Sequence, residues 1–192
     1  MGKIVISENI TLDGVVQDPT GAEGLPQGGW FSEFGGKDLA EWNKVAFDEA
    51  LAAEGLLLGR RSDEWFATIW ESRTGPFAGR LNSMPKYVVS ATLERPRWSN
   101  STLLKGDAVT EVSNLKRQTD GDVVVIGSIR LAHTLITHDL ADELRLTVYP
   151  VVLGTGERLF PETGAKKPLR LTAARTIGAG LTHLTYEFVR DA

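Results

Sequence analysis

The chain has 192 residues, 42% of them hydrophobic and 24% charged, with a formal net charge of −4 and no cysteine. This length suits one domain with a sizeable core. The acidic balance argues against nucleic acid, whose binders carry a basic face, and the missing cysteines exclude disulfides, thiolate catalysis and cysteine-ligated metals. No apolar run is long enough to span a bilayer. The first residues, Met1-Gly2-Lys3-Ile4-Val5-Ile6-Ser7-Glu8, reach an acid too soon for a signal peptide. A soluble, cytoplasmic protein with small-molecule partners is expected, engaging neither nucleic acid nor membrane.

Residues 3–10 read as a first strand, followed by a tight-turn signal at Asp13-Gly14. Residues 19–36 form a loop rich in Gly and Pro, long enough to suggest a lid or wall. Residues 38–53 have helical spacing, with Asp38 as the natural N-cap. Gly55 stops that helix, and Leu56-Leu57-Leu58 is a short buried strand. Ser62 can cap a helix through Ile69. Residues 75–85 read as a loop with at most one helical turn.

Residues 87–89 and 101–104 read as strands, and Asp107 caps a helix to about Gln118. Asp120-Gly121 turns the chain into the strand Val123-Val124-Val125-Ile126, and the helix after Gly127 ends near His138. Residues 143–153 form a long strand, apolar toward its end, that can extend to a sheet edge. Residues 169–176 and 181–189 form a hairpin across Gly178-Ala179-Gly180. Strands alternate with helices through residue 153. The expected architecture is therefore an α/β sandwich: a mostly parallel sheet, helices on both faces, and an antiparallel hairpin at the end.

Two strand-to-helix junctions carry the chemistry. Val125-Ile126-Gly127-Ser128-Ile129-Arg130-Leu131 and Leu58-Gly59-Arg60-Arg61-Ser62 each aim free N–H groups and a helix dipole at one spot, which suits a phosphate. Arginines at a helix start are unfavourable unless an anion is present. A third strand ends in Ser90-Ala91-Thr92. Together the three ends suggest a dinucleotide lying across the carboxyl edge of a sheet. Asp13, at the end of the first strand, is placed to contact a substrate amine. Trp30, Phe31 and Phe34 are candidate walls for a ring-shaped substrate or, equally, anchors of that loop to the core, and Tyr149 in Tyr149-Pro150 is a candidate for a pocket wall or a dimer seam. Asp38, and less directly Glu33, are further acids. His133 and His138 lie five apart on one helix, the wrong spacing for paired ligands, so no metal is expected.

The pieces Ile6-Ser7-Glu8-Asn9-Ile10-Thr11-Leu12-Asp13-Gly14, Leu58-Gly59-Arg60-Arg61-Ser62, Tyr87-Val88-Val89-Ser90-Ala91-Thr92-Leu93, Val125-Ile126-Gly127-Ser128, Asp142-Glu143-Leu144-Arg145-Leu146-Thr147-Val148-Tyr149-Pro150 and Leu159-Phe160-Pro161 run in order over nearly the whole chain. In this they resemble the dihydrofolate reductase superfamily, in particular the branch that includes the reductase domain of bifunctional riboflavin-biosynthesis enzymes. The resemblance implies a dihydrofolate reductase-like three-layer sandwich over residues 1–192 and NADPH as cofactor. It places Gly59, Arg60, Arg61 and Ser62 on phosphates, and Ser90, Ala91 and Thr92 by the adenosine 2′-phosphate. Ile126, Gly127, Ser128, Ile129, Arg130 and Leu131 would lie at the pyrophosphate and ribose. Leu12, Gly14 and Val15 would border the nicotinamide, with Asn9, Trp30, Phe34 and Tyr149 toward the substrate.

Asp13 and Asp38 are the catalytic candidates; Asp38 in Lys37-Asp38-Leu39-Ala40-Glu41-Trp42 looks similar to the acid of dihydrofolate reduction. The usual Gly-Gly pair after the pyrophosphate strand is Gly127-Ser128 here. The implied activity is NADPH-dependent reduction of a small heterocycle, most like 5-amino-6-(5-phosphoribosylamino)uracil reductase or a dihydrofolate reductase-like enzyme, in a homodimer. The alternative is a non-catalytic NADP-binding or sensing module on the same fold.

Overall fold

A computed structural model of the protein describes residues 1–160, 162 and 165–190. Its strands are β1 (Lys3–Thr11), β2 (Gly55–Gly59), β3 (Lys86–Val89), β4 (Ser101–Leu104), β5 (Asp122–Val125), β6 (Glu143–Tyr149), β7 (Leu169–Ile177) and β8 (Leu181–Phe188). Its α-helices are α1 (Trp30–Gly35), α2 (Leu39–Ala52), α3 (Arg60–Trp70), α4 (Pro76–Ser83), α5 (Ala108–Gln118) and α6 (Ile129–Thr137). The strands form one eight-stranded sheet in the order β4-β3-β2-β5-β1-β6-β8-β7. Neighbours from β4 to β6 pair in parallel, and β8 and β7 add an antiparallel hairpin.

The β-branched run of β5 shows how three layers arise. Side chains alternate across a strand, so Val123 and Val125 join one core cluster and Val124 the other. The first cluster packs under α5 and α6 through Val112, Leu115, Leu131, Ala132 and Leu135. The second packs under α2, α3 and α4 through Ala50, Ala67 and Leu81. The expected dihydrofolate reductase-like sandwich is the observed one.

Several local expectations change. Within residues 19–36, α1 forms and continues as a turn of 3-10 helix, Gly36–Asp38. The rest of that loop is organised by the buried Asp18, whose carboxylate accepts from Glu23 N and Leu25 N and whose carbonyl accepts from Gly21 N and Gly29 N. Residues 75–85 hold the full helix α4, started by Gly75 and Pro76. The N-cap of α3 is Gly59, with Ser62 already inside the first turn. Strand β6 ends at Tyr149 and lies between β1 and β8, so the expected extension to a sheet edge does not occur; β4 and β7 are the edges. Pro161 of Leu159-Phe160-Pro161 lies outside the described residues.

Candidate functional site

The connections leaving β1 and β5 run in opposite directions. From β1 the chain crosses through α2 to β2, and from β5 it crosses through α6 to β6. The adjacent strands β5 and β1 thus form a topological switch point, where open α/β sheets leave a crevice at the strands' carboxyl ends. Pairing between them stops at Ile6 and Val125. Beyond it β1 continues to Thr11, while β5 gives way to Ile126, Gly127 and Ser128.

The four segments singled out in the sequence end four adjacent strands, in the order β3, β2, β5, β1. Two of them are tied together by hydroxyls. Ser62 Oγ donates to Gly127 O at 2.8 Å, and Ser128 Oγ lies 2.8 Å from Ser62 Oγ and accepts from Gly59 N at 3.0 Å. Both serines are buried. The serine that replaces the second glycine therefore couples the starts of α3 and α6, and the Ser62 hydroxyl is committed to that tie. Free donors at the crevice are the N-terminal N–H groups of both helices and the side chains of Arg60, Arg61 and Arg130. All three arginines are exposed, and among the described residues none joins an ion pair. Glu23 lies within electrostatic reach of Arg61.

Gly127 has φ +58°, and a Cβ there would meet the Phe66 ring at 3.1 Å. Gly127→Ala is expected to cost about 1–2 kcal/mol from the left-handed backbone and the crowding together. A urea midpoint unchanged from the parent would show that this turn is not held as described.

At the β3 end, Ser90 Oγ accepts from Thr92 N at 3.3 Å and Leu93 N at 3.1 Å, forming a local hydroxyl turn; Ala91 and Thr92 are exposed. At the β1 end, Leu12 is 65% exposed, Gly14 has φ +86°, and Val15 is buried, bridged to Arg158. Asp13 is fully engaged. One oxygen accepts from Thr11 Oγ1 at 2.7 Å and Leu153 N at 3.2 Å; the other accepts from Gly154 N at 2.9 Å and lies 3.6 Å from Arg158. Partial burial pushes its carboxyl up, but the hydrogen bonds from Thr11, Gly154 and Leu153 outweigh this and hold it below the usual aspartate range. It is a poor proton donor near neutrality.

Asp38 sits at the N-cap position of α2 without making a capping bond. Its carboxylate accepts from Gly180 N at 2.7 Å, and a Cβ on Gly178 would collide with it. It fastens the start of α2 to the β7–β8 turn. Trp30, expected as a substrate wall or as an anchor of its loop, takes the second role, and Tyr149, expected as a pocket wall or a dimer seam, is interior; both are fully buried. Their rings meet edge to face at 5.2 Å within a cluster that includes Phe31 and Trp42, because Trp30 anchors α1 through Nε1 to Gln17 O at 3.0 Å. The Tyr149 hydroxyl is buried without a partner, and burial raises its pKa. Asn9 accepts from Trp42 Nε1 at 2.8 Å, and Phe34 remains exposed at 38%.

Sequence reasoning missed Glu8. Ile4, Ile6 and Ile10 share one face of β1 in the core under α6, and the two-residue period puts Glu8 among them. Its Oε1 is buried with no hydrogen-bond partner. Burial drives its pKa up to about 8, opposed by the N–H groups of Gly127 and Ser128 and reinforced by Glu49. The signal was present in the sequence as an acid at an inward position of an apolar strand.

A separate cleft of about 380 Å³ lies between α2 and the β7–β8 hairpin, lined by Val45, Asp48, Glu49, Arg145, Arg175 and His183 among others. Of its two arginines, Arg145 is already satisfied, since it binds Glu49, Asp122 and Glu143 at 2.9, 2.8 and 2.6 Å, and the acids Asp48 and Glu49 share the lining with Arg175. Burial, with Arg175 and Arg145 nearby, lowers His183 to about 4 and keeps it neutral. The cleft offers less to an anion than the strand-end crevice.

Comparison with known proteins shows the family and the fold. The RibD C-terminal domain family matches residues 2–183. The uncharacterized protein YyaP of Bacillus subtilis (strain 168) is 31% identical over 108 residues, 56% of this chain and 57% of that protein; the match thus spans little more than half the length of this curated relative. The fold is similar to that of a protein assigned to riboflavin biosynthesis from Shewanella sp. PV-4, with a TM-score of 0.76 and 21% identity, covering 98% of this chain and 99% of that one. It is also similar to the dihydrofolate reductase from Enterococcus faecalis complexed with NADP(H), with a TM-score of 0.57 and 16% identity over 97% of this chain and 96% of that one. Among the described residues no helix is long and apolar enough to cross a membrane.

Proposed function

The chain belongs to the RibD C-terminal domain family, and on that premise we propose that it is an NADPH-dependent reductase of a small nitrogen heterocycle. One observation carries the cofactor reading: two helix N-termini locked side by side through Ser62 and Ser128, with Arg60, Arg61 and Arg130 around them and no ion pair of their own among the described residues. A donor set of backbone N–H groups and guanidinium forks fits a pyrophosphate and a 2′-phosphate. A Cβ built on Gly59 would come no nearer than 3.9 Å to a neighbour, so the backbone there is open to a ligand.

Bound in this crevice, NADPH would supply the hydride. The chain's own residues position and exclude. Leu12, Gly14 and Val15 border the nicotinamide end, and Ser90, Ala91 and Thr92 the adenosine end. Asp13 acts as a fixed carboxylate, oriented by Thr11 and the backbone of residues 153 and 154. Its oxygens are taken by these donors, so it holds the turn at the nicotinamide end, and water or a substrate group supplies the proton. Asp38 holds the start of α2 against the β7–β8 turn.

Within the family, a ribosylamino-pyrimidine of the 5-amino-6-(5-phosphoribosylamino)uracil type is the better substrate candidate than dihydrofolate, because the Asp38 carboxylate is bound to the Gly180 backbone. Steady-state NADPH oxidation by the purified protein is expected with the pyrimidine and at most weakly with dihydrofolate. Binding of NADPH without turnover of either would favour the second reading, a non-catalytic NADP-binding or sensing module. That reading is favoured by one observation, that both candidate acids are engaged within the fold, Asp13 by Thr11, Leu153 and Gly154 and Asp38 by Gly180.

A further inference from the structure

Resting on the reading of the crevice as a dinucleotide site, we infer that Glu8 enters the complex as a neutral carboxylic acid that donates a hydrogen bond to a ligand oxygen, so that the crevice takes up the dinucleotide and one proton together. Glu8 stands where β1 has passed its last partner on β5, beside the Gly127-Ser128 turn that opens α6. On its other side β6 presents Leu146 at the paired position. A carboxylate there has Gly127 N–H and Ser128 N–H as its electrostatic neighbours, and these are the donors a phosphate needs. A phosphate docking on the same N–H groups brings negative charge against a buried carboxylate, and two like charges in low dielectric push one of them to its neutral form.

The charged groups around Glu8 act in opposite senses, the carboxylate of Glu49, itself paired with Arg145, favouring the neutral acid and any cation favouring the carboxylate. From α2, Glu49 acts on Glu8 with like charge. From α6, Arg130 is exposed in the first turn. On β1 itself, the neighbours of Glu8 face the other layer, where Ser7 donates to Glu49 and Asn9 accepts from Trp42. The unpartnered, buried Oε1 completes the picture. An oxygen without a partner is costly in a protein interior, and a protonated carboxyl can donate a hydrogen bond where the carboxylate cannot. Burial already holds the group near half-protonation at about pH 8 before any ligand arrives.

The test is NADPH affinity across pH 7 to 9.5, a range in which a phosphate monoester with a second pKa of ~6 stays at least about nine-tenths ionised, for the parent and for Glu8→Gln. For the parent, the dissociation constant is expected to rise about tenfold per pH unit above about 8.5, as one proton is required for binding. Glu8→Gln, neutral at every pH, is expected to bind with a flat profile. Calorimetry of the parent in buffers of different ionisation enthalpy provides a readout that needs no variant: binding near pH 9 should take up most of a proton, and Glu8→Gln should take up none. Parent binding with a flat profile and no proton uptake overturns the inference while leaving the dinucleotide site standing. Absence of NADPH and NADH binding overturns both.

Discussion

Replacing Arg60 and Arg61 together by alanine is expected to weaken NADPH binding by about a hundredfold. Both side chains stand in the exposed first turn of α3, where a cation opposes the helix dipole. A charge-assisted hydrogen bond to phosphate contributes about 1.5–3 kcal/mol, and exposure puts each arginine at the low end. Two such losses sum to about 3 kcal/mol, or about two decades in the dissociation constant. NADH, lacking the 2′-phosphate, should bind the parent more weakly and lose less in the variant. Energy transfer from the tryptophans to bound NADPH measures both constants, with far-ultraviolet dichroism to confirm the fold. An affinity for both nucleotides that survives the double substitution would remove the arginines from the site.

Lys86→Ala is expected to be the most damaging single change to stability among those considered, at about 3–5 kcal/mol. Lys86 is fully buried on β3. Its ammonium donates to Asn82 O, Met84 O and Ser99 O at 3.1, 2.9 and 2.9 Å, and lies 4.6 Å from the centre of the Trp98 ring. Burial pulls its pKa down to about 8, with Asp63 and Glu71 opposing the fall. Asp63, itself fully buried, accepts from Arg97 N and Trp98 N at 2.7 and 3.1 Å. Removing the ammonium strands three carbonyls and leaves the Asp63 charge without a buried counter-charge, the situation in which breaking a buried network costs most. Lys86→Met keeps the aliphatic stem and should recover only part of the loss. Urea denaturation of both variants measures this, and a loss below about 1 kcal/mol for Lys86→Ala would show the network to be incidental.

Much of this was legible in the sequence because it depends on local pattern. The valine run of β5, the leucines of β2 and the alternating Leu184, Tyr186 and Phe188 of β8 announce strands by composition and period alone. The phosphate-type junctions after β2 and β5 were equally visible, because glycine, serine and arginine at a strand-to-helix turn are local signals. The helix α4 was not, since its Gly79 and its neighbouring Gly75 and Pro76 read as loop residues. It forms because Ala78 and Leu81 are buried against the core. Tertiary burial overrode a weak propensity. Helix α1 was hidden in the same way, held by the burial of Trp30.

The candidate site divides along the same line. Which segments belong to the crevice was readable, because each is a short motif at the end of a strand. What each side chain does there was not. Ser62 and Ser128 bind each other, Asp13 is saturated with donors, Asp38 is tied to Gly180, and Trp30 and Tyr149 face the interior. All of these partners lie far away in sequence, and no local pattern encodes them. By itself, the sequence determined the alternation of strands and helices, the parallel class of the sheet and the two glycine-led strand-to-helix junctions after β2 and β5, since hydrophobic period, glycine and charge act over a few residues. Only the tertiary structure decided the order β3-β2-β5-β1 that aligns those ends, the isolation of the Glu8 carboxyl beside Gly127 and the burial of Lys86 with Asp63. Strand order and desolvation depend on contacts between residues distant in the chain, and these exist only once the sheet has closed.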